Sequence, residues 1–344
     1  MLARIAKTVF KRTVSPTLDG LGLYDRELER LDACNWLIVM YHRVIADPAL
    51  DPFQLGMCVS REHFDEQITY LRRNFQPIGM SQAVALLEQG RPLPDRAVSV
   101  TLDDGYLDNL EHALPILEKH HMPATLFVPT GGIDDDEQLW WDRVIHALAS
   151  TRKTEVAPAL VGLPEATRLP LAAWSRTDTV ETILSALWQR PLTETLERVS
   201  AIERELLPVG HAPGGARRMN SAQIVEMQRR GIEIGAHTVT HPNLTLEPVD
   251  RVRWEMETSR RTLQTLCGAE VNGFAYPAGW SDPTTLAQAR AAGFRYAVAT
   301  TSGFSAPQRD LFSLSRVGMP DSAAADFKRA LVSIARRSHA LRDA

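Results

Sequence analysis

Short apolar runs, many of them rich in β-branched residues, alternate along this chain with stretches of helical periodicity. Residues 36–41 (WLIVMY), 97–102 (AVSVTL), 124–128 (ATLFV), 232–236 (IEIGA), 273–276 (GFAY), 296–299 (YAVA) and 311–314 (LFSL) read as strands. Continuous apolar runs of this length suit strands buried on both faces, and none approaches the roughly 20 residues that a helix needs to cross a bilayer. Alternation with helices favours parallel pairing, because a parallel connection needs a crossover long enough to hold a helix. The count of about seven or eight strands predicts an α/β chain folded as a distorted (β/α)7-8 TIM-like barrel with a helical insertion.

The helical stretches carry their own punctuation. Ser60 is placed as an N-cap, with Phe64, Ile68 and Leu71 as the apolar stripe behind it. Further helices are expected at about 81–90, 109–121 and 248–266, from Asp282-Pro283 to Gly293, and over 324–337. The strand–helix rhythm breaks between 133 and 218, where tryptophan, proline and helical patterns (139–149, 180–189, 193–207) accumulate before an exit loop, PVGHAPGG. The chain therefore divides into a helical extension (1–33), a barrel (34–132 and 219–322), an insertion that could cover one barrel end (133–218) and a C-terminal helix (323–344).

Composition narrows the function classes. With 44% apolar residues, the 344-residue chain can bury a large core. A net charge of -4 argues against a nucleic-acid partner, which calls for a basic surplus. The three cysteines, Cys34, Cys58 and Cys267, are far apart and form no CxxC, so no disulfide framework is expected. No signal peptide is evident, so a cytoplasmic protein is the expectation. The segment MLARIAKTVFKR could touch a membrane surface as a basic amphipathic helix, although a solvated or locally packed terminal helix is the commoner explanation. The oligomeric state is not legible.

Three motifs fall at predicted strand ends, where barrels of this kind build their active sites. In Thr101-Leu102-Asp103-Asp104-Gly105-Tyr106, adjacent carboxylates are costly to bury unless a cation or a proton compensates them. One could hold a metal while the other acts as general base; a strand-to-helix turn capped by Asp is the commoner reading of such a motif alone. In His237-Thr238-Val239-Thr240-His241, two imidazoles four residues apart suit chelation of one ion, or are two unrelated loop histidines. An Asp with two His leaves positions open for water and substrate, a set that fits Zn²⁺ first, with Co²⁺, Ni²⁺ and Fe²⁺ also accommodated. The third motif, Phe274-Ala275-Tyr276-Pro277-Ala278-Gly279, is a strand and turn that could bring a backbone N–H to an oxyanion.

In this order, TLDDGY, HTVTHPNL and FAYPAG resemble the polysaccharide deacetylase superfamily, the NodB-homology or carbohydrate esterase family four group. The upstream MYHRV and VSREHFDEQITYLRRNF look like its exopolysaccharide and biofilm deacetylase branch. The resemblance implies a metal-dependent hydrolase that removes N-acetyl groups from a polysaccharide or glycan precursor. It gives Asp103 the role of base, Asp104, His237 and His241 those of metal ligands, and the Tyr276 backbone N–H that of oxyanion donor. Tyr106, Pro277 and Trp280 are placed beside the substrate. Two departures stand out. The Arg usual before the proline of the third motif is absent, with Ala275 and Tyr276 there instead, and Leu314-Ser315-Arg316 puts Arg where the family's last motif has His. The expectation is that His42 serves as the general acid and Arg316 supports Asp103. Two alternatives stay open: a non-sugar amide hydrolase of the same fold, and a glycan-binding module without activity, which would have no need of the Asp103 base.

Overall fold

The computed structural model describes residues 15–31, 36–135, 137–172, 176–208, 216–300, 303, 305 and 310–340. Its strands are β1 (Leu37–Tyr41), β2 (Arg43–Ile45), β3 (Cys58–Ser60), β4 (Gln76–Pro77), β5 (Ala97–Asp103), β6 (Ala124–Val128), β7 (Glu233–Ala236), β8 (Gly273–Ala275), β9 (Tyr296–Val298) and β10 (Val317–Gly318). The main sheet runs β10-β1-β5-β6-β7-β8-β9, all parallel, with β4 also pairing with β5. Its two ends are joined by one stretch of chain. Leu314 forms a parallel bridge with Val298 of β9, and three residues later Val317 pairs with Val39 of β1.

That closure corrects the strand expected at 311–314. Phe312 N–H donates to Oδ1 of Asp310 at 2.9 Å and Ser313 N–H to the Asp310 carbonyl at 2.9 Å, a side-chain-capped turn that keeps the chain from extending until Leu314. The separate β2–β3 pair also has no counterpart in the expected strands.

Strand β5 shows how the barrel is filled. All seven of its residues are buried. Alternation sends Val98, Val100 and Leu102 outward into the core shared with Phe64, Ile68, Leu71 and Leu114 of the surrounding helices. Ser99, Thr101 and Asp103 point inward. There the Trp36 indole donates to Ser99 at 2.9 Å, and the Thr101 hydroxyl to the Val39 carbonyl at 2.9 Å. The predicted caps are present. Ser60 accepts from the His63 N–H, and Asp282 forms a reciprocal capping box with Thr285 at the start of Pro283–Ala291.

Helices Trp140–Ser150, Arg176–Trp188 and Leu192–Leu206 of the insertion bury Val144, Val180, Ile183, Val199 and Ile202 in a core of their own, which Phe53 and Tyr106 from the barrel side join. Helices Ser15–Gly20 and Leu23–Leu31 lie against the terminal helix Ala324–Ala340, where Lys328 pairs with Asp19 at 2.7 Å and Asp25 at 3.0 Å. Cys58 and Cys267 are free thiols. Cys34, the segment 1–14 with its amphipathic pattern, and most of the 208–215 loop lie outside the described residues. No helix among the described residues is long and apolar enough to cross a membrane.

Candidate active site

The mouth of the barrel is built by backbone that bends where strands end. Plain alternation would send Asp103 and Asp104 to opposite faces. Asp104 instead takes φ 72° and Gly105 φ 68°, which turns the second carboxylate toward the first. Past β7, Thr238 and His241 adopt φ 69° and 54°, and Ala278 follows β8 with φ 52°. Four of the seven left-handed non-glycine residues among the described ones thus sit at this mouth. Such strain persists where the surrounding structure fixes it, and it concentrates at functional sites.

Asp104, His237 and His241 are all buried and bring one ligand atom each within 4.8 Å of one another. The Nε2 of each histidine lies 3.5 Å from Oδ1 of Asp104, and the two Nε2 atoms are 2.9 Å apart. That Oδ1 is buried and accepts no hydrogen bond. Nδ1 of His237 donates to the Ala275 carbonyl at 2.7 Å, which leaves its Nε2 lone pair facing Asp104. His241 is oriented by rings, with Trp141 at 4.4 Å and Trp188 at 5.5 Å between centroids. Burial lowers both imidazoles, His237 to about 4, so both are neutral donors at neutral pH. Burial, then the Asp103 and Asp142 carboxylates, push Asp104 well above the ordinary range, the state of a buried carboxylate lacking a counter-charge. An unpaired carboxylate oxygen facing two neutral imidazole nitrogens fits a divalent cation.

Asp103 is stabilised differently. Arg316 grips it in a fork, Nη1 to Oδ1 and Nη2 to Oδ2, both at 2.7 Å. The guanidinium is itself buried, and also donates to Thr101 Oγ1 and the Ala299 carbonyl, each at 3.2 Å. Burial opposes ionisation of Asp103, but Arg316, with help from His237, outweighs it and holds the carboxyl below its ordinary value. Arg316 thus occupies the place beside Asp103 expected from the sequence. His42 lines the same cavity as Asp103, Asp104, His237, His241 and Arg316, and burial lowers its imidazole.

Four expectations need correction. The Tyr276 N–H donates to the Val298 carbonyl at 3.1 Å, and its hydroxyl to Phe312 O at 3.0 Å. Strand pairing runs one residue past β8, so this amide is committed to the sheet and cannot serve an oxyanion. Pro277 is buried under the turn and is not part of the cavity wall, which Tyr276, Ala278 and Gly279 supply. Trp280 stands behind the wall, edge-on to Trp188 at 5.5 Å. Tyr106 is fully buried and lines a neighbouring cavity; its hydroxyl donates to Asp142 at 3.0 Å and accepts from the Trp141 indole at 3.0 Å. Of the insertion, Trp141, Leu184 and Trp188 reach the site cavity. Trp141 lines the cavity and also packs against Trp140 and Trp188. Trp188 had no motif to mark it, beyond the concentration of four of the seven tryptophans between 133 and 218.

Two buried acids outside the motifs shape the site's surroundings. Glu255, fully buried on helix Val249–Cys267, accepts from the N–H groups of Val239 (2.7 Å) and Thr240 (2.9 Å) and from the Thr240 hydroxyl, and pairs with Arg251 at 2.8 Å. It pins the loop between the two histidines. Glu255→Gln is expected to weaken Zn²⁺ binding by about 10–100-fold while the protein stays folded; calorimetric titration of the apoprotein measures it. Asp142 is buried, which raises its carboxyl to about 7. A raised folded value means that its stabilisation is complete below about pH 4 and is lost as pH rises toward 7, by up to about 1.4 kcal/mol per unit. Asp142→Asn should therefore be more stable than wild type at pH 8 and show no such gain at pH 4 in denaturant melts.

The comparisons with known proteins bear on this geometry. The family model for polysaccharide deacetylases matches residues 90–155 and 204–297, two segments that hold Asp103, Asp104, His237 and His241. A Bacillus subtilis (strain 168) protein carrying the name polysaccharide deacetylase YxkH is 21% identical over 291 residues, 83% of this chain and 73% of that one. The poly-β-1,6-N-acetyl-D-glucosamine N-deacetylase of Escherichia coli (strain K12) is 35% identical over 98 residues, only 28% of this chain and 14% of that protein. The structure of Streptococcus pyogenes deacetylase PplD in complex with acetate superposes with a TM-score of 0.59 at 19% identity, covering 87% of this chain and 97% of that one, which shows the shared fold. The family match falls on the two segments that supply the clustered acids and imidazoles, so across its candidate site this chain is similar to the polysaccharide deacetylases, within a barrel of the same fold.

Proposed function

We propose that the protein is a metal-dependent hydrolase that removes N-acetyl groups from a glycan. The observation that carries this reading is the juxtaposition, in one cavity, of an Asp–His–His cluster with a second carboxylate held ionised by a buried arginine. Asp104, His237 and His241 would hold the cation; when bound, it supplies Lewis acidity toward the acetyl carbonyl and the attacking water. Zn²⁺ suits these ligands, and Co²⁺, Ni²⁺ or Fe²⁺ are accommodated by the same set.

Asp103 takes the proton from the attacking water. Arg316 keeps that carboxylate ionised and fixed in direction, so the base is ready before substrate arrives. His42, which lines the cavity beside Asp103, gives a proton to the departing amine nitrogen. With the Tyr276 amide committed to the sheet, the oxyanion donor is reassigned to the Ala278 N–H. Ala278 lines the cavity in a left-handed conformation, while the next two amides, Gly279 and Trp280, donate to the Tyr276 and Pro277 carbonyls. Trp141 and Trp188 exclude water above the imidazoles.

The reading is tested by acetate release from a panel of N-acetylated oligosaccharides and non-sugar N-acetyl amides, before and after chelation. Acetate from the sugars alone, lost on chelation and restored by Zn²⁺, supports it. Release from the non-sugar amides alone moves the assignment to an amidase of the same fold. Binding of sugars without any acetate identifies an inactive glycan-binding module. In the active protein, His42→Gln should lower kcat by about 10²–10⁴ with metal content unchanged. Near-normal turnover would remove His42 from the acid role.

A further inference from the structure

The turn that follows β8 is held from outside as well as by its own bonds. Its centre, Ala278, has left-handed torsions (φ 52°, ψ 7°) that an L-amino acid disfavours. The peptide that joins Ala278 to Gly279 is fixed at both ends. Its N–H, on Gly279, donates to the Tyr276 carbonyl at 2.7 Å. Its carbonyl, on Ala278, accepts from the Thr300 hydroxyl at 2.8 Å. Turn and threonine are also packed directly together. A Cβ on Gly279, which has φ 74°, would lie 2.0 Å from Thr300 Oγ1 and 2.3 Å from the Thr300 backbone nitrogen, so only glycine fits there.

Thr300 stands on a firm post. The residue before it, Ala299, donates its N–H to the Leu314 carbonyl at 2.8 Å, and its carbonyl accepts from Nε of Arg316 at 3.2 Å. Two consecutive residues past β9 thus touch both the guanidinium that holds Asp103 and the turn that carries the Ala278 amide. Thr300 and Ala278 both line the site cavity. In helix-like torsions of either hand, the N–H and C=O of one residue point in roughly opposite directions. Anchoring the Ala278 carbonyl on Thr300 therefore sets the direction of the Ala278 N–H, away from the threonine.

We propose that Thr300 is a positioning residue for the hydrolysis: its hydroxyl holds the Ala278 N–H in the direction that meets the oxyanion. The proposal rests on the deacetylase reading. A donor fixed in advance needs no reorientation as charge develops on the acetyl oxygen, and outright loss of such a donor costs about 10²–10³ in kcat. Loosening one should cost less. Thr300→Val keeps the shape and removes the hydroxyl; Thr300→Ser keeps the hydroxyl. Two quantities are measured on Zn²⁺-loaded, folded protein. One is acetate release from an N-acetylated glucosamine oligomer. The other is affinity for the methylphosphonamidate analogue of N-acetylglucosamine, whose tetrahedral phosphorus carries an oxygen where the oxyanion forms. Thr300→Val should lower kcat about tenfold and weaken the analogue by a similar factor, with KM and metal content within about twofold of wild type. Thr300→Ser should stay within about threefold of wild type in both. Unchanged kcat in Thr300→Val, a loss that Thr300→Ser shares in full, or lost turnover with analogue affinity intact overturns the positioning role and leaves the deacetylase reading standing. No acetate from wild type overturns both.

Discussion

Arg316→Met should destabilise the protein by about 3–5 kcal/mol, the cost of leaving a buried carboxylate without its partner. The guanidinium reaches Asp103 through two parallel bonds of 2.7 Å, and both groups are buried. Met fills much of the same volume, so lost packing contributes little. Asp103→Asn in the Arg316→Met background should recover part of the loss, which a double-mutant cycle by denaturant unfolding of the apoprotein resolves. A cost below about 1 kcal/mol would mean that the pair is not the electrostatic anchor its geometry indicates.

Asp103→Asn should lower kcat by about 10²–10⁴, since it removes the proton acceptor and keeps the shape. KM should change little, because Asp104, His237 and His241 are untouched. The variant also leaves the Arg316 charge buried with a neutral partner, so its stability should fall as well. Metal content and turnover are therefore read on protein shown to be folded. Substitution of a ligand, such as His237→Ala, would lose metal and activity together; Asp103→Asn should separate them.

The barrel and its insertion were legible because strand runs, caps and the interrupted rhythm are local features. Ser60 and Asp282 announce their helices by residue type alone, and the β-branched run 97–102, with Val98, Val100 and Leu102 on one face, marks a buried strand. The clustering of Asp104 with His237 and His241 was legible through motif spacing and family resemblance. The Arg316–Asp103 contact, joining residues 213 apart in sequence, was reachable only by asking what replaced a missing arginine. Backbone detail was not legible. Whether strand pairing stops at Ala275 or takes one more amide decides the part played by Tyr276, and nothing in FAYPAG fixes that. The extended reading of 311–314 failed for a similar reason: Asp310 folds the next residues into a turn through its own side chain. Trp188 and Glu255 reach the site from elements distant in sequence, and their contributions depend on how the insertion and helix Val249–Cys267 pack.

The most direct test of the central claim is acetate release by Zn²⁺-loaded wild type and Asp103→Asn side by side, on an N-acetylated glucosamine oligomer, with the metal content of both determined. The account predicts one bound ion per chain in each protein and acetate from wild type alone. One bound ion in each, with no acetate from wild type or with equal release from both, would contradict it.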